Sequence, residues 1–305
     1  AMQIEERASN QEFPELLKST PGVYTTKQGG GYGDSRISLR GFNSVNVAVM
    51  INGIPVNDME NGRVYWSNWA GLTDVTQSMQ VQRGLGASKV AVPSIGGTIN
   101  ILTQTTEAKK GGNVFFAVGN DGYAKKGLTL STGLMDNGWA ISLSGSEVHG
   151  DGFVDGTAFQ GYNYFFNLTK KINAKHLLSF TGFGAPQRHG QRPRAEKIST
   201  FRNAPQGIRF NSTWGYRDGQ EVLYEDNFYH KPQFSLNHYW TIDEKSELST
   251  AAYMSFGTGG GGGIWGDWAP ADRGTYEPKD IDALVDINRA TADGNPLGQD
   301  AFLFG

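Results

Sequence analysis

The 305-residue chain contains no cysteine. Disulfide scaffolds, thiolate metal sites and cysteine nucleophiles are therefore excluded together. No run of about 20 apolar residues occurs, so no segment reads as a membrane-crossing helix. No signal peptide is visible either, and the chain opens Ala1-Met2-Gln3, like a processed or cloned start. Basic charge is not in excess: the net charge is −3 and the pI about 6.0. That argues against the electrostatic field of a nucleic-acid binder. Hydrophobic residues make up only 38 %, low for a soluble chain of this size. A polar interior beneath an apolar exterior, as in an outer-membrane barrel, explains the shortfall. On composition alone, a glycine-rich soluble β-protein or a partly disordered chain is the favoured reading over that barrel.

What is abundant is glycine, with 42 residues, and aromatic side chains, at 12 %. The length favours about two domains, and the character of the sequence changes near Thr105–Gly112. Before that point it is mixed. Residues 10–19 read as a short amphipathic helix with Phe13, Leu16 and Leu17 on one side, stopped by Thr20-Pro21-Gly22. β-Rich pieces follow at Arg36–Phe42, Val47–Val56, Ser78–Arg83 and Gly97–Thr103. After Gly112 about seven strands are expected, at 113–119, 124–134, 138–148, 161–171, 175–184, 227–242 and 246–257. Trp139, Ile141 and Leu143 alternate with Ala140, Ser142 and Ser144. Tyr162, Tyr164, Phe166 and Leu168 alternate with Asn163, Asn167 and Thr169, and Phe165 is the exception. Such period-two patterns give a sheet two different faces. Pro232 counts against an unbroken ladder in the sixth strand. Tight connections (135–138, 172–175, 242–245) alternate with longer ones (148–162, 185–227 and everything after Gly257), Asn120–Tyr123 being a short member of the second set. Membrane barrels alternate in this way between their two rims.

Five pieces of the first segment stand in a familiar order. They are Thr20-Pro21-Gly22-Val23, Arg36–Phe42 with its Arg40-Gly41, Val49–Val56 with Asn52-Gly53, Val81-Gln82-Arg83-Gly84, and Ile95–Thr103 with Gly96-Gly97. In this order they resemble the plug domain of TonB-dependent outer-membrane transporters, and the Met59–Trp69 stretch is similar to transporters of Bacteroidetes-type bacteria. Asn52 stands where the family usually has Asp, and Lys89–Pro93 lacks the common Tyr-Gly. Asn52-Gly53 suits a type I′ hairpin turn, because both central residues need positive φ.

The resemblance implies a membrane β-barrel with an N-terminal α/β plug inside its lumen. Residues 1–108 are the plug, and 109–305 are the first seven of roughly 22 antiparallel strands with extracellular loops. On that reading the chain is a fragment, since seven strands cannot close a barrel. The implied function is energised import of a scarce solute across the bacterial outer membrane: a metal chelate, vitamin, glycan or peptide. Implied partners are the inner-membrane TonB complex, the imported solute and outer-membrane lipid, with a surface lipoprotein as a further candidate. The segment on which TonB pulls is not recognisable here. A non-transporting surface receptor or adhesin on the same fold, or a soluble β-rich binding module, are the alternatives.

No enzyme, cofactor or metal motif emerges. Gly84–Lys89 has the wrong glycine-to-lysine spacing for a phosphate loop, and Gly259–Gly263 reads as a flexible loop. His149 with Asp151 and Asp155 reads as a solvated loop rather than a cation site. The resemblance places solute contacts on three plug apices, Thr26–Gly33, Asn43–Val45 and Met59–Trp66. The candidates there are Gln28, Tyr32, Asn43, Glu60, Asn61, Arg63, Tyr65 and Trp66, against the alternative that Trp66 and Trp69 only pack beneath the loops. Outer-loop candidates are Arg188, His189, Arg192 and Arg194, a basic cluster suited to steering an anion or simply solvated, and Trp265 and Trp268. Arg40 and Arg83 are expected on one side of the plug, paired with barrel-wall acids beyond Gly305, or else solvated at the periplasmic opening.

Overall fold

In the computed structural model, residues 11–29, 31–84, 94–103, 108–223, 225–265, 276–283 and 302–304 are described. The first element among the described residues is a one-turn helix, α1 (Phe13–Leu16), extended by a 3₁₀ turn over Leu17–Ser19. The expected amphipathic helix is thus real but shorter. Pro14 sits in its first turn, where its missing N–H costs nothing, and Glu12 and Glu15 form a capping box.

Seven short strands follow: β1 (Val23–Thr26), β2 (Arg36–Leu39), β3 (Phe42–Asn43), β4 (Val47–Ile51), β5 (Ile54–Pro55), β6 (Thr76–Arg83) and β7 (Gly97–Thr103). The first three make one antiparallel sheet, and the rest make a mixed sheet in the order β5-β4-β7-β6, with β4 and β7 parallel. The sequence piece Arg36–Phe42 is therefore not one strand. Arg40 (φ 55°) and Gly41 (φ 84°) form a two-residue turn joining β2 to β3. Asn52 (φ 51°) and Gly53 (φ 80°) do the same between β4 and β5. Positive φ at both central positions is the type I′ signature.

The wall is a meander. β8 (Gly111–Val118), β9 (Ala124–Ser131), β10 (Trp139–Gly150), β11 (Phe159–Lys171), β12 (His176–Gly184), β17 (Gln233–Asp243) and β18 (Ser246–Ser255) pair in sequence, all antiparallel. Three of these ladders run on upward. β13 (Gln187–Gly190), β16 (Asp226–His230) and β19 (Thr258–Gly261) continue the ladders beyond β12, β17 and β18. The sixth expected strand is broken at Lys231-Pro232, where proline has no N–H to give. Between β13 and β16 lie α2 (Ile198–Asn203) and the hairpin of β14 (Gly215–Arg217) and β15 (Gln220–Val222).

Two expectations are corrected here. The connection after β10 is shorter than 148–162, because β10 reaches Gly150 and β11 starts at Phe159. The glycine run is not a flexible loop: Gly259, Gly260 and Gly261 pair with Tyr229, Phe228 and Asn227. Cross-strand aromatics lie over glycines throughout the wall. Phe115 covers Gly127, Tyr164 covers Gly184, Phe166 covers Gly182 and Tyr229 covers Gly259. Each ring packs on bare glycine backbone, in space that a Cβ would take, which gives the high glycine and aromatic content one joint cause.

The two wall faces are chemically inverted relative to a soluble sheet. The outward face exposes Val114, Phe116, Leu130, Leu143, Leu168 and Leu236. The inward face buries Ser142, Asn163, Asn167, Thr169, Ser179 and Thr181. These polar groups satisfy one another: Asn167 donates to Ser179 and Thr181, both at 2.8 Å, and Thr169 donates to Asn167 at 2.7 Å. Phe165, the exception to the alternation, points inward. It sits across from Phe183, and both rings join the plug core, where Phe183 stacks on Trp69 at 6.0 Å.

Candidate functional site

The plug core is built from β2, β4 and β7 (Ile37, Leu39, Val47, Val49, Ile99, Ile101) and from the 3₁₀ turns Trp66–Trp69 and Leu72–Val75. It fixes the base of two apices. The first, 26–33, is tied to α1 by the Gly33 N–H, which donates to Glu12 Oε1 at 2.7 Å. The second, 57–66, is folded by Asn57, whose amide donates to the carbonyls of Val47 (3.0 Å) and Gly62 (2.9 Å), and by Asp58, which accepts from the backbone of Glu60 and Asn61.

Above these apices the wall loop 191–225 folds back over the plug. Gln191 donates to both carboxylate oxygens of Asp34, at 2.9 and 3.0 Å, and the Arg192 N–H donates to the Gly29 carbonyl at 2.6 Å. A cleft of about 930 Å³ remains between the two. From the plug, Gln28, Arg63, Tyr65 and Trp66 line it; from the loop, Arg192 and Arg194 do. Arg63 and Tyr65 are exposed, whereas Trp66 is buried and stacked on Phe13 at 5.3 Å. Arg192 is anchored: its Nη1 donates to the carbonyls of Ile208 and Phe210 at 2.8 Å each, and its guanidinium lies over Phe201. Partial burial draws its pKa below the ordinary arginine value.

The remaining sequence candidates sit elsewhere. Tyr32 is stacked on Phe159 at 4.6 Å and meets His189 edge-on, so it packs between plug and wall. His189, 1 % exposed, bonds Gln187 and lies 3.4 Å from Asp34. Arg188 faces outward, paired with Asp226 and lying over Phe228. Asn43 accepts from Asn46, and Asn61 donates to the Tyr65 hydroxyl; neither they nor Glu60 line the cleft. Trp265 ends a short strand, Gly263–Trp265, and Trp268 lies outside the described residues. Lys27, Asp34, Arg36, Glu196 and Phe201 line the cleft without having been singled out in the sequence. Their signal was adjacency to an apex or to the loop arginines, which is too common to select them.

A second chamber, of about 220 Å³, lies lower, between plug and wall. It shares Lys27, Gly31, Gly33, Trp66 and Phe153 with the outer cleft. Burial pushes the Glu12 carboxyl here above the usual range. Burial acts the same way on Glu15, but Lys18 and Lys27 outweigh it and hold that carboxyl low. At the chamber, plug meets wall through an ion pair that the sequence alone did not disclose. Lys125 Nζ of β9 lies 2.6 Å from Asp74 Oδ1, and Ser146 and Asn163 donate to Asp74 Oδ2 at 2.9 and 3.1 Å. Gly71 lets Asn163 approach, since a Cβ there would collide with its amide.

Arg40 and Arg83 stand together on one side of the plug, their stems flanking Gly22. Both are exposed, and neither makes an ion pair among the described residues.

Comparison with known proteins fits this geometry. The TonB-dependent Receptor Plug Domain family matches residues 1–98. The vitamin B12 transporter BtuB of Vibrio vulnificus is 28 % identical over 151 residues, covering 49 % of this chain and 24 % of the relative. BtuB of Photobacterium profundum is 31 % identical over 181 residues, covering 55 % and 28 %. The chain thus spans about a quarter of the length of these curated relatives. Both relatives are proteobacterial, so the likeness of Met59–Trp69 to Bacteroidetes-type transporters finds no support in them. Among solved structures, the unliganded ferric citrate transporter FecA superposes with a TM-score of 0.63 at 18 % identity, over 82 % of this chain and 38 % of that one. Residues 1–98 are thus similar to the TonB-dependent Receptor Plug Domain, and the antiparallel strands after them share the fold of the corresponding part of FecA.

Proposed function

We propose that this chain is the plug-bearing part of an active importer, which captures a scarce solute outside the cell and passes it across the outer membrane. The observation that carries the reading is the cleft of about 930 Å³, lined at once by plug apices and a wall loop. Solute held there touches the element that must move and the element that stays. The inner-membrane TonB complex is the partner that supplies the pull, through a segment before the plug. Its action loosens plug from wall, and the chamber beneath Trp66 lies on the way down. Relatives named as vitamin B12 transporters and siderophore receptors make a metal chelate or a vitamin the solute class of first choice, ahead of a glycan or peptide.

The test is uptake of radiolabelled chelates, cobalamin, oligosaccharides and peptides by cells lacking the receptor and by cells complemented with it. One solute is expected to enter only in complemented cells, and to stop entering when the proton-motive force is collapsed. Uptake of every solute unchanged by loss of the receptor removes the proposal.

A further inference from the structure

The outer cleft holds more cations than anions, and among the described residues three of its cations lack partners. Lys27, Arg36, Arg63, Arg192 and Arg194 line it, against only two acids, Asp34 and Glu196. Both acids are engaged. Asp34 accepts two hydrogen bonds from Gln191 and faces His189, and Glu196 accepts from Ser212 at 2.6 Å. Two of the bases are engaged as well. Lys27 lies 3.4 Å from Glu15, and Arg192 is spent on the carbonyls of Ile208 and Phe210.

Arg36, Arg63 and Arg194 remain. Among the described residues none of the three makes an ion pair or a side-chain hydrogen bond. They come from β2, from the second apex and from the wall loop, so only the fold brings them to one space. The chain as a whole carries −3, which makes this positive field local. Like charges around one concavity repel, and a guanidinium fork is matched by a carboxylate or phosphate edge. A ligand carrying several such edges relieves the repulsion and fills the donors together. The cleft volume falls within the roughly 300–1,000 Å³ usual for small-molecule sites.

We infer that the solute is a multiply anionic small molecule, with at least two carboxylate or phosphate groups, and that Arg36, Arg63 and Arg194 bind it. The inference rests on the reading of the cleft as the solute site. It also separates the roles of the loop arginines: Arg194 touches solute, Arg192 holds the loop, and Arg188 belongs to the outer surface.

The experiment is calorimetric titration of the intact receptor in detergent with three small probes of different charge: citrate, sucrose and spermidine. Citrate is expected to bind, more weakly as salt rises, with neither of the others binding comparably. An Arg36→Gln, Arg63→Gln, Arg194→Gln variant, checked for unchanged heat-modifiable migration, is expected to lose citrate affinity by about tenfold or more. Replacing the same three by lysine keeps charge but not the fork, and an intermediate loss is expected. Binding of citrate that is indifferent to the glutamine variant overturns the inference. So does preferential binding of sucrose or spermidine, which leaves the cleft as a solute site of another class. If no probe binds, the anionic inference fails; if, in addition, a bulky label on a cysteine placed at Tyr65 leaves uptake of the native solute unchanged, the cleft itself is not the entry site.

Discussion

Asp74 of the plug and Lys125 of the wall meet at 2.6 Å, with side chains only 4 % and 9 % exposed. Ser146 and Asn163 satisfy the second carboxylate oxygen. Taking away one member of such a pair strands a buried charge, at a cost of about 3–5 kcal/mol. Lys125→Met is therefore expected to make the plug far more susceptible to protease in intact receptor. Asp74→Leu combined with Lys125→Met is expected to recover most of the loss, since neither charge is then stranded. Equal protease resistance of the single variant and the parent counts against a holding role for the pair.

Gly71 supports the same contact. It has φ 75°, and a Cβ there would overlap the Asn163 amide nitrogen. Gly71→Ala combines left-handed backbone strain with a clash against a wall side chain that is itself tied to Asp74. A destabilisation of about 1–3 kcal/mol is expected, read as a lower denaturant midpoint for plug release. An alanine variant with the parent's midpoint rules out the close approach.

How much of this was legible in the chain depends on whether the cause was local. Period-two alternation is local, so the wall strands and their inward serines and asparagines could be read. Asn52-Gly53 announced its turn for the same reason. Arg40-Gly41 makes the same turn, but arginine is a poor advertisement for positive φ, and the segment read as a strand. Phe165 broke the alternation because its inward face meets apolar plug rather than polar groups: with Phe183 of the neighbouring wall strand it joins the plug core. The glycines at 259–261 looked like a flexible loop because the rings that cover them, Phe228 and Tyr229, lie on an earlier strand. Lys125 was readable in part. It falls on the inward set of β9, where a charge needs an acid, but nothing in the sequence points to Asp74.

Acidity should act on α1 through Glu12. Burial raises its carboxyl pKa above the ordinary value, with Lys27 and the Gly33 N–H pulling the other way and Glu15 adding to the rise. A raised carboxyl favours the folded state in its neutral form. That contribution is complete below the unfolded pKa and is lost as pH climbs through the raised one. Hydrogen exchange at the Gly33 amide is therefore expected to accelerate as pH rises through that window, after correction for intrinsic exchange. Glu12→Gln keeps a neutral acceptor and is expected to flatten the dependence. A glutamine variant that retains the full pH response places its origin elsewhere.

Arg40 and Arg83 pose the remaining question about how the plug is seated. The Arg40 Cγ and Arg83 Cδ atoms lie 3.6 and 3.8 Å from the position a Gly22 Cβ would take, so the two stems straddle one glycine. Arg40 is held there by the β2–β3 turn and Arg83 by the end of β6, two elements from different sheets. Nothing in either local structure requires a cation, and Arg40 even adopts a left-handed φ that asparagine or glycine would take more readily. Two arginine stems brought to one glycine from different sheets are accounted for, we propose, by shared acids on the facing wall, where the fork geometry fixes orientation as well as charge. On that proposal, Arg40→Ala with Arg83→Ala lowers protease resistance of the plug in intact receptor and slows uptake. Arg40→Asn alone isolates the turn: it removes one charge while favouring the backbone, so weaker seating there points to the lost ion pair rather than to the hairpin. Exposed arginines with only solvent around them contribute within about 0.5 kcal/mol. A double variant as resistant and as fast as the parent therefore assigns both side chains to the solvated rim.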